Sequence, residues 1–195
     1  MTIFGEVPVG QAITRSGARP GDDLWISGQP GRAALGLAHL RGDVVLADAH
    51  LGACLAALQR PQPRVALGLA LRGQATAMLD VSDGLFGDLG HILEASGVGA
   101  IVRRDALPLT DLIAACDDGE RAWRACAAGG DDYELLFTAP APRREAIAAL
   151  AAPAGVSLHR IGTITADAGT LYVEGPDRVR RPALLRGYDH FGEVS

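Results

Sequence analysis

Hydrophobic and polar positions recur along the chain with two periods, and the points where one gives way to the other mark the elements. "TIFGEVP" (2–8) alternates like a short strand, and "RSGARPGDD" is a Gly/Pro/Asp-rich connector leading to the next strand, "LWISG" (24–28). Residues 31–42 and 47–60 carry helical spacing, the first rich in small residues that permit close backbone approach. "RPQPR" (60–64) breaks the pattern, because proline cannot continue a helix, and 65–73 reads as a helix that starts beyond it. "TAMLDV" (76–81) predicts a strand. From Ser82 the period changes: Leu85, Leu89, Ile92 and Leu93 fall at i, i+4, i+7 and i+8, an amphipathic helix with Ser82 as N-cap, Asp83 in its first turn and Gly97 at its end.

Beyond that helix, "GAIVRR" reads as a strand, "LTDLIAAC" and "GERAWRACA" as short helices, and "GGDDYELLFTAP" as a glycine turn entering a strand. "PRREAIAALAAPAG" predicts a helix, "SLHRIGTIT" and "TLYVEG" predict strands, and the tail "LLRGYDHFGEVS" gathers aromatic residues. No internal repeat or low-complexity tract interrupts the series. Helices alternating with strands imply a layered α/β domain.

The length of 195 residues allows one domain or one and a half, and an aromatic content of 5% leaves the core to Leu, Val, Ile and Ala. A net charge of −5 argues against a general nucleic-acid partner, which needs a dominant basic surface. Every basic side chain is arginine. Without lysine there is no Walker A loop and no Schiff-base chemistry, so any phosphate must be held by arginine, backbone N–H groups or cations on carboxylates. Cys54, Cys116 and Cys126 are odd in number and fit no paired metal spacing, which suits idle thiols in a reducing compartment. The first residues carry no basic, then apolar, leader pattern, and no run approaches the roughly 18 apolar residues of a membrane span. A cytoplasmic protein without a membrane partner is expected.

Two stretches concentrate acids. "LDVSDGLFGDLGHI" (79–92) places Asp80, Ser82 and Asp83 where a strand meets a helix, with Asp88 shortly after. Crowded carboxylates repel one another, and magnesium relieves this by taking one or two protein carboxylates and filling its other positions with water and substrate phosphates. The plainer alternative is a helix-dipole role for Asp83 and a turn hydrogen bond for Asp80. "GGDDYELLF" (129–137) sets Asp131, Asp132 and Glu134 behind two glycines, a close approach suited to a ligand. Its alternative is a solvated turn with Asp132 and Glu134 facing water and Tyr133, Leu135 and Phe137 facing the core. Arg15 could grip phosphate from a glycine-bearing connector, or lie idle on the surface. His190 could act as a base, but with no nucleophile nearby in sequence a structural hydrogen bond is the plainer reading.

In order and spacing, "TRSGARPGDDLWISG", "RPQPR", "LDVSDGLFGDLGHI", "GGDDYELLFT" and the terminal "GYDHFG" resemble thiamine-monophosphate kinase from about Thr2 to Gly192. The "SDGL" element is shared more loosely with aminoimidazole ribonucleotide synthetase and selenophosphate synthetase. "GGDDYELLF" with "GYDHF" is the more specific signature. The resemblance implies ATP-dependent phosphorylation of thiamine monophosphate to thiamine diphosphate, by direct in-line transfer with magnesium. It implies Asp80 and Asp83 as metal ligands, Ser82 and Arg15 as ATP contacts, and Asp131 and Tyr188 as substrate contacts. Asp131 stands where the family usually has glutamate, and Tyr188 where an aromatic, often tryptophan, stacks on the substrate. The implied fold is an α/β/α three-layer domain with a mixed sheet, like the carboxy-terminal domain of aminoimidazole ribonucleotide synthetase, over residues 22–195. Residues 1–21 would be the last strand and linker of an amino-terminal ATP-binding domain, and the whole enzyme a homodimer. A catalytically inactive nucleotide- or thiamine-phosphate-binding module, or a related enzyme acting on another phosphorylated substrate, are the alternatives.

Overall fold

The computed structural model describes residues 5–183. The first strand, β1 (Asp22–Ser27), is buried along its whole length. It precedes the helices α1 (Arg32–Arg41), α2 (Asp48–Gln59) and α3 (Val65–Ala70). Strand β2 (Ala77–Asp80), helix α4 (Leu85–Ser96) and strand β3 (Gly99–Arg103) come next, then α5 (Thr110–Cys116), α6 (Gly119–Ala128) and β4 (Leu135–Pro140). The series closes with α7 (Arg144–Ala148), α8 (Ala151–Ala154), β5 (Leu158–Thr165), β6 (Leu171–Glu174) and β7 (Arg180–Pro182).

The seven strands form one mixed sheet in the order β2-β4-β1-β5-β3-β6-β7. Among the described strands only β3 and β6 run parallel; the other neighbours are antiparallel. Side chains on a strand point alternately to opposite faces, so a central strand feeds two cores. On β1, Leu24 and Ile26 join a large core with residues of α1, α2, α4, α5 and α6. Trp25, between them, faces a smaller core with Leu67, Leu71, Phe137 and Ile147, where it stacks on Phe137 at a 6.2 Å ring separation. Helices thus cover both faces, the three-layer α/β/α arrangement that the resemblance implied.

Four elements depart from the sequence expectation. Of the strand expected over 2–8, residues 5–8 belong to no strand, and residues 2–4 lie outside the described part. The helix expected from Ser82 starts at Leu85, with Gly84 at the N-cap position and φ 110°. A Cβ at Gly84 would stand 2.8 Å from the Ala128 carbonyl carbon, so the 82–84 loop presses flat against the end of α6 instead of winding. At the other end Gly97 stops α4 in the left-handed region, as its position predicts. The helix expected over 142–155 divides into a 3-10 turn, α7 and α8. Strand β7 has no alternation to announce it, being three exposed residues, Arg-Arg-Pro, at a sheet edge.

Candidate active site

Strand β2 ends at Asp80, which is exposed, while Val81 is buried and Ser82 and Asp83 are half-buried. Neither Asp80 nor Asp83 takes part in an ion pair among the described residues. The third acid does something different. Asp88, in the first turn of α4 and buried, accepts the Ser82 and Asp83 backbone N–H groups at 2.9 and 3.0 Å. It ties down the loop ahead of the helix, whose own first turn has no side-chain cap, and burial raises its pKa against the pull of those two donors. Ser82 is therefore no N-cap, and Asp83 lies ahead of the helix rather than in its first turn.

The second acidic stretch is laced to the first by backbone. Asp131 N–H donates to the Ser82 carbonyl and Tyr133 N–H to the Val81 carbonyl, both at 2.9 Å, while Val81 N–H donates to the Glu134 carbonyl at 2.8 Å. Gly130 permits this contact, since a Cβ there would sit 2.4 Å from the Ser82 carbonyl oxygen. Asp131 and Tyr133 are held in the left-handed region at φ 67° and 53°, which costs roughly 1–2 kcal/mol per non-glycine residue. Every second residue then turns inward: Asp132 and Glu134 are buried, whereas Asp131 and Tyr133 are exposed. The solvated-turn alternative has these residues the wrong way round.

Partners explain the inversion. Asp132 accepts the Gly31 and Ala33 N–H groups at 2.6 and 3.1 Å, capping α1 from across the chain. Burial pushes its pKa up to about 7 even though both donors pull it down. Glu134 accepts Arg64 Nε at 2.8 Å, Arg64 Nη2 at 2.6 Å and the Ser27 hydroxyl at 2.5 Å. Ser27 Oγ in turn accepts the Leu135 N–H at 2.8 Å. Neither Arg64 nor Ser27 is identified by sequence reasoning, which treats "RPQPR" only as a break. The available signal is Glu134 itself, an acid in the inward row of a strand that continues through Leu136.

With the inward acids occupied, Asp80, Asp83, Asp131 and Tyr133 are left on one surface. Their proximity is felt at Tyr133, whose hydroxyl pKa is raised first by burial, then by Asp131, and further by Asp80 and Asp83. Beside them lies a mostly apolar cavity of about 390 Å³ whose lining includes Pro63, Val65, Met78, Leu135, Asp80 and Tyr133. A more polar cavity of about 650 Å³ lies against Asp132 and Glu134, and Arg64 lines both.

The connector bearing Arg15 runs along the free edge of β2, with Met78 N–H donating to the Thr14 carbonyl at 3.0 Å. The Ser96 hydroxyl, at the end of α4, accepts Gly17 N–H and Ala18 N–H at 3.1 and 3.2 Å and donates to the Arg15 carbonyl at 3.4 Å. Arg15 is exposed there. Tyr188 and His190 lie outside the described residues. The free carboxylates of Asp80 and Asp83 are hard oxygen donors of the kind and number magnesium takes from a protein. Among the described residues no group of three or more His, Cys, Asp or Glu side chains is placed to hold a metal by itself, and no helix is long and apolar enough to cross a membrane.

A sheet covered on both faces, with two acidic turns laced together at the end of its β2 and β4 strands, has counterparts among known proteins. Residues 19–174 match the family described as "AIR synthase related protein, C-terminal domain", and the chain belongs to that family. Within it, the chain is 43% identical over 97% of its length to the thiamine-monophosphate kinase of Escherichia coli K12, of which it covers 58%. The crystal structure of thiamine-monophosphate kinase from Stenotrophomonas maltophilia K279a superposes with a TM-score of 0.78 at 42% identity, covering 87% of this chain and 55% of that one. A structure described as "AaThiL complexed with AMPPCP and TMP" superposes with a TM-score of 0.72 at 26% identity, over 92% of this chain and 54% of the other. The chain thus spans little more than half the length of these relatives.

Proposed function

We propose that this chain works as the carboxy-terminal part of a thiamine-monophosphate kinase, which transfers the terminal phosphoryl group of ATP to thiamine monophosphate and yields thiamine diphosphate. The observation that carries the reading is the convergence of Asp80, Asp83, Asp131 and Tyr133 on one surface, in a chain whose similar proteins bear that name. A relative's complex with AMPPCP and TMP supports a nucleotide and a phosphate ester as co-substrates.

Phosphoryl transfer asks a protein mainly for positioning and charge neutralisation. Asp80 and Asp83 would hold magnesium, which when bound neutralises the polyphosphate and orients it. In this reading Ser82, fixed through its carbonyl by Asp131, offers its side chain to ATP, and Arg15 offers a two-pronged donor to the phosphates. Asp131 attracts the positively charged thiazolium, and Tyr188 supplies an aromatic face to it. The lysine-free composition agrees with a site that handles phosphate through metal and arginine. The cytoplasm, where ATP is plentiful, is the place we assign to the reaction. A homodimer, and residues 1–21 as a linker from an amino-terminal ATP-binding domain, belong to the same reading.

The test is a coupled assay of the purified chain with ATP, magnesium and thiamine monophosphate, run beside the Escherichia coli relative. Formation of thiamine diphosphate that disappears in Asp80→Ala supports a kinase site in this chain. Magnesium-dependent binding of both ligands without turnover assigns it a binding role instead. Binding of neither, with the relative active, overturns the reading.

A further inference from the structure

Among the described residues Arg64 is the one charged side chain that lines both cavities beside the acidic turns, and its guanidinium is spent on a buried acid. Glu134 is 5% exposed and is gripped at both oxygens by Arg64, with Ser27 adding a third donor. The fit is tight: a Cβ at Gly28 would stand 1.9 Å from a Glu134 carboxylate oxygen. Glu134 directly follows Tyr133 and lies three residues beyond Asp131, and both of those residues sit in backbone conformations that ordinary side chains avoid. A strained segment persists only where its surroundings over-determine it. Here the anchors are Asp132 on α1, the backbone bonds to residues 81 and 82, and the Arg64 fork on Glu134. Only the last links the segment to the "RPQPR" connector, which also forms a wall of the apolar cavity holding Asp80 and Tyr133.

We propose that Arg64 is a positioning residue for the acceptor side of the site: through Glu134 it fixes Tyr133 and Asp131, and by the same fork it fixes the proline wall facing them. It touches no reacting group in this scheme. Because the fork holds the 131–134 segment directly and reaches Ser82 only through the backbone bonds to residues 81 and 82, loss of the fork weakens the thiazolium ester more than the nucleotide, whose contacts lie at Ser82 and Arg15. The inference rests on the kinase reading for its choice of ligand, though not for the tether itself.

Removing Arg64 alone would strand a buried carboxylate and could unfold the chain, so the informative variant is the double replacement Arg64→Met with Glu134→Gln, a neutral pair of similar bulk. Arg64→Lys, which keeps the charge and loses the fork, accompanies it. Three quantities are measured on the whole chain: the thermal midpoint, calorimetric affinities for thiamine monophosphate and for AMPPCP with magnesium, and the ring signals of labelled tyrosine, with Tyr133 assigned by its absence in Tyr133→Phe. The expected outcome is a midpoint within about 3 °C of the parent, thiamine monophosphate bound about tenfold more weakly, as for a slightly misplaced contact, and AMPPCP affinity lowered far less. The Tyr133 signal moves while that of Tyr172, on β6, stays. An unmoved Tyr133 signal with unchanged thiamine monophosphate affinity overturns the proposal. So does an equal loss of both ligands together with the midpoint, which would mark a purely structural pair. If the parent chain binds neither ligand, the kinase reading fails for this chain, and the Tyr133 signal alone then decides whether the tether exists.

Discussion

The two acidic turns, 80–88 and 131–134, carry three carboxylates each and use them in opposite proportions. In the first, one acid is buried and two face outward; in the second, two are buried and one faces outward. The buried Asp88 caps a loop five and six residues away in its own sequence, so the first turn largely builds itself. Asp132 reaches a partner 99 residues away, in α1, and Glu134 one 70 residues away, in the proline break. The second turn exists only once the sheet and both flanking segments have closed around it. An outward acid is available to a ligand because an inward neighbour has taken over the structural work.

Breaking that division should have its largest effect at Glu134. Its replacement by alanine leaves Arg64 without its buried partner and is expected to cost about 3–5 kcal/mol in urea denaturation, far more than loss of an outward acid. Next comes Asp132, whose folded pKa of about 7 stands above the ordinary 3.8. Between those values the folded chain keeps a proton that the unfolded chain has released. The stability this contributes is fully present below about pH 4, falls as pH rises, and is gone above about pH 7, with an upper limit of roughly 4 kcal/mol. Denaturation curves across that window should show the decline in the parent and a flatter profile in Asp132→Asn. An equal slope in both would mean that Asp132 stays ionised as the cap of α1.

The outward acids sharpen the contrast. Asp80→Asn and Asp83→Asn should shift stability by less than about 0.5 kcal/mol. They should nevertheless weaken magnesium-dependent AMPPCP binding by roughly a hundredfold, about 2.7 kcal/mol, as expected for loss of a metal ligand. A stability loss without a binding loss would reverse their assignment. Smaller than that binding loss is the effect expected at Asp88→Ala, about 1–2 kcal/mol of stability, because two backbone donors lose their acceptor. Its signature is a lowered Tm with faster hydrogen exchange at Ser82 and Asp83.

Legibility in the sequence follows the same division between local and distant causes. The helix over Leu85–Ser96 was readable because its period and its terminal Gly97 are local properties. Its start was misplaced because the Gly84 conformation answers to Ala128, more than forty positions away. That Asp80 and Asp83 remain free could be suspected from crowding alone. That Tyr133 turns outward and Glu134 inward has only the row continuing through Leu136 as its signal, because what decides it is the arrival of Arg64 and Gly31 from elsewhere in the chain. Strand β7, exposed throughout, offered no hydrophobic row to read.

Helix α4 begins two residues after Asp83, and its last residue, Ser96, holds the backbone of the segment that carries Arg15. Twelve helical residues make a rod of about 18 Å that bends little. The acid loop and the arginine-bearing arm are therefore mounted on the two ends of a single strut. The distance between the two attachments is thus set by the number of residues in the rod.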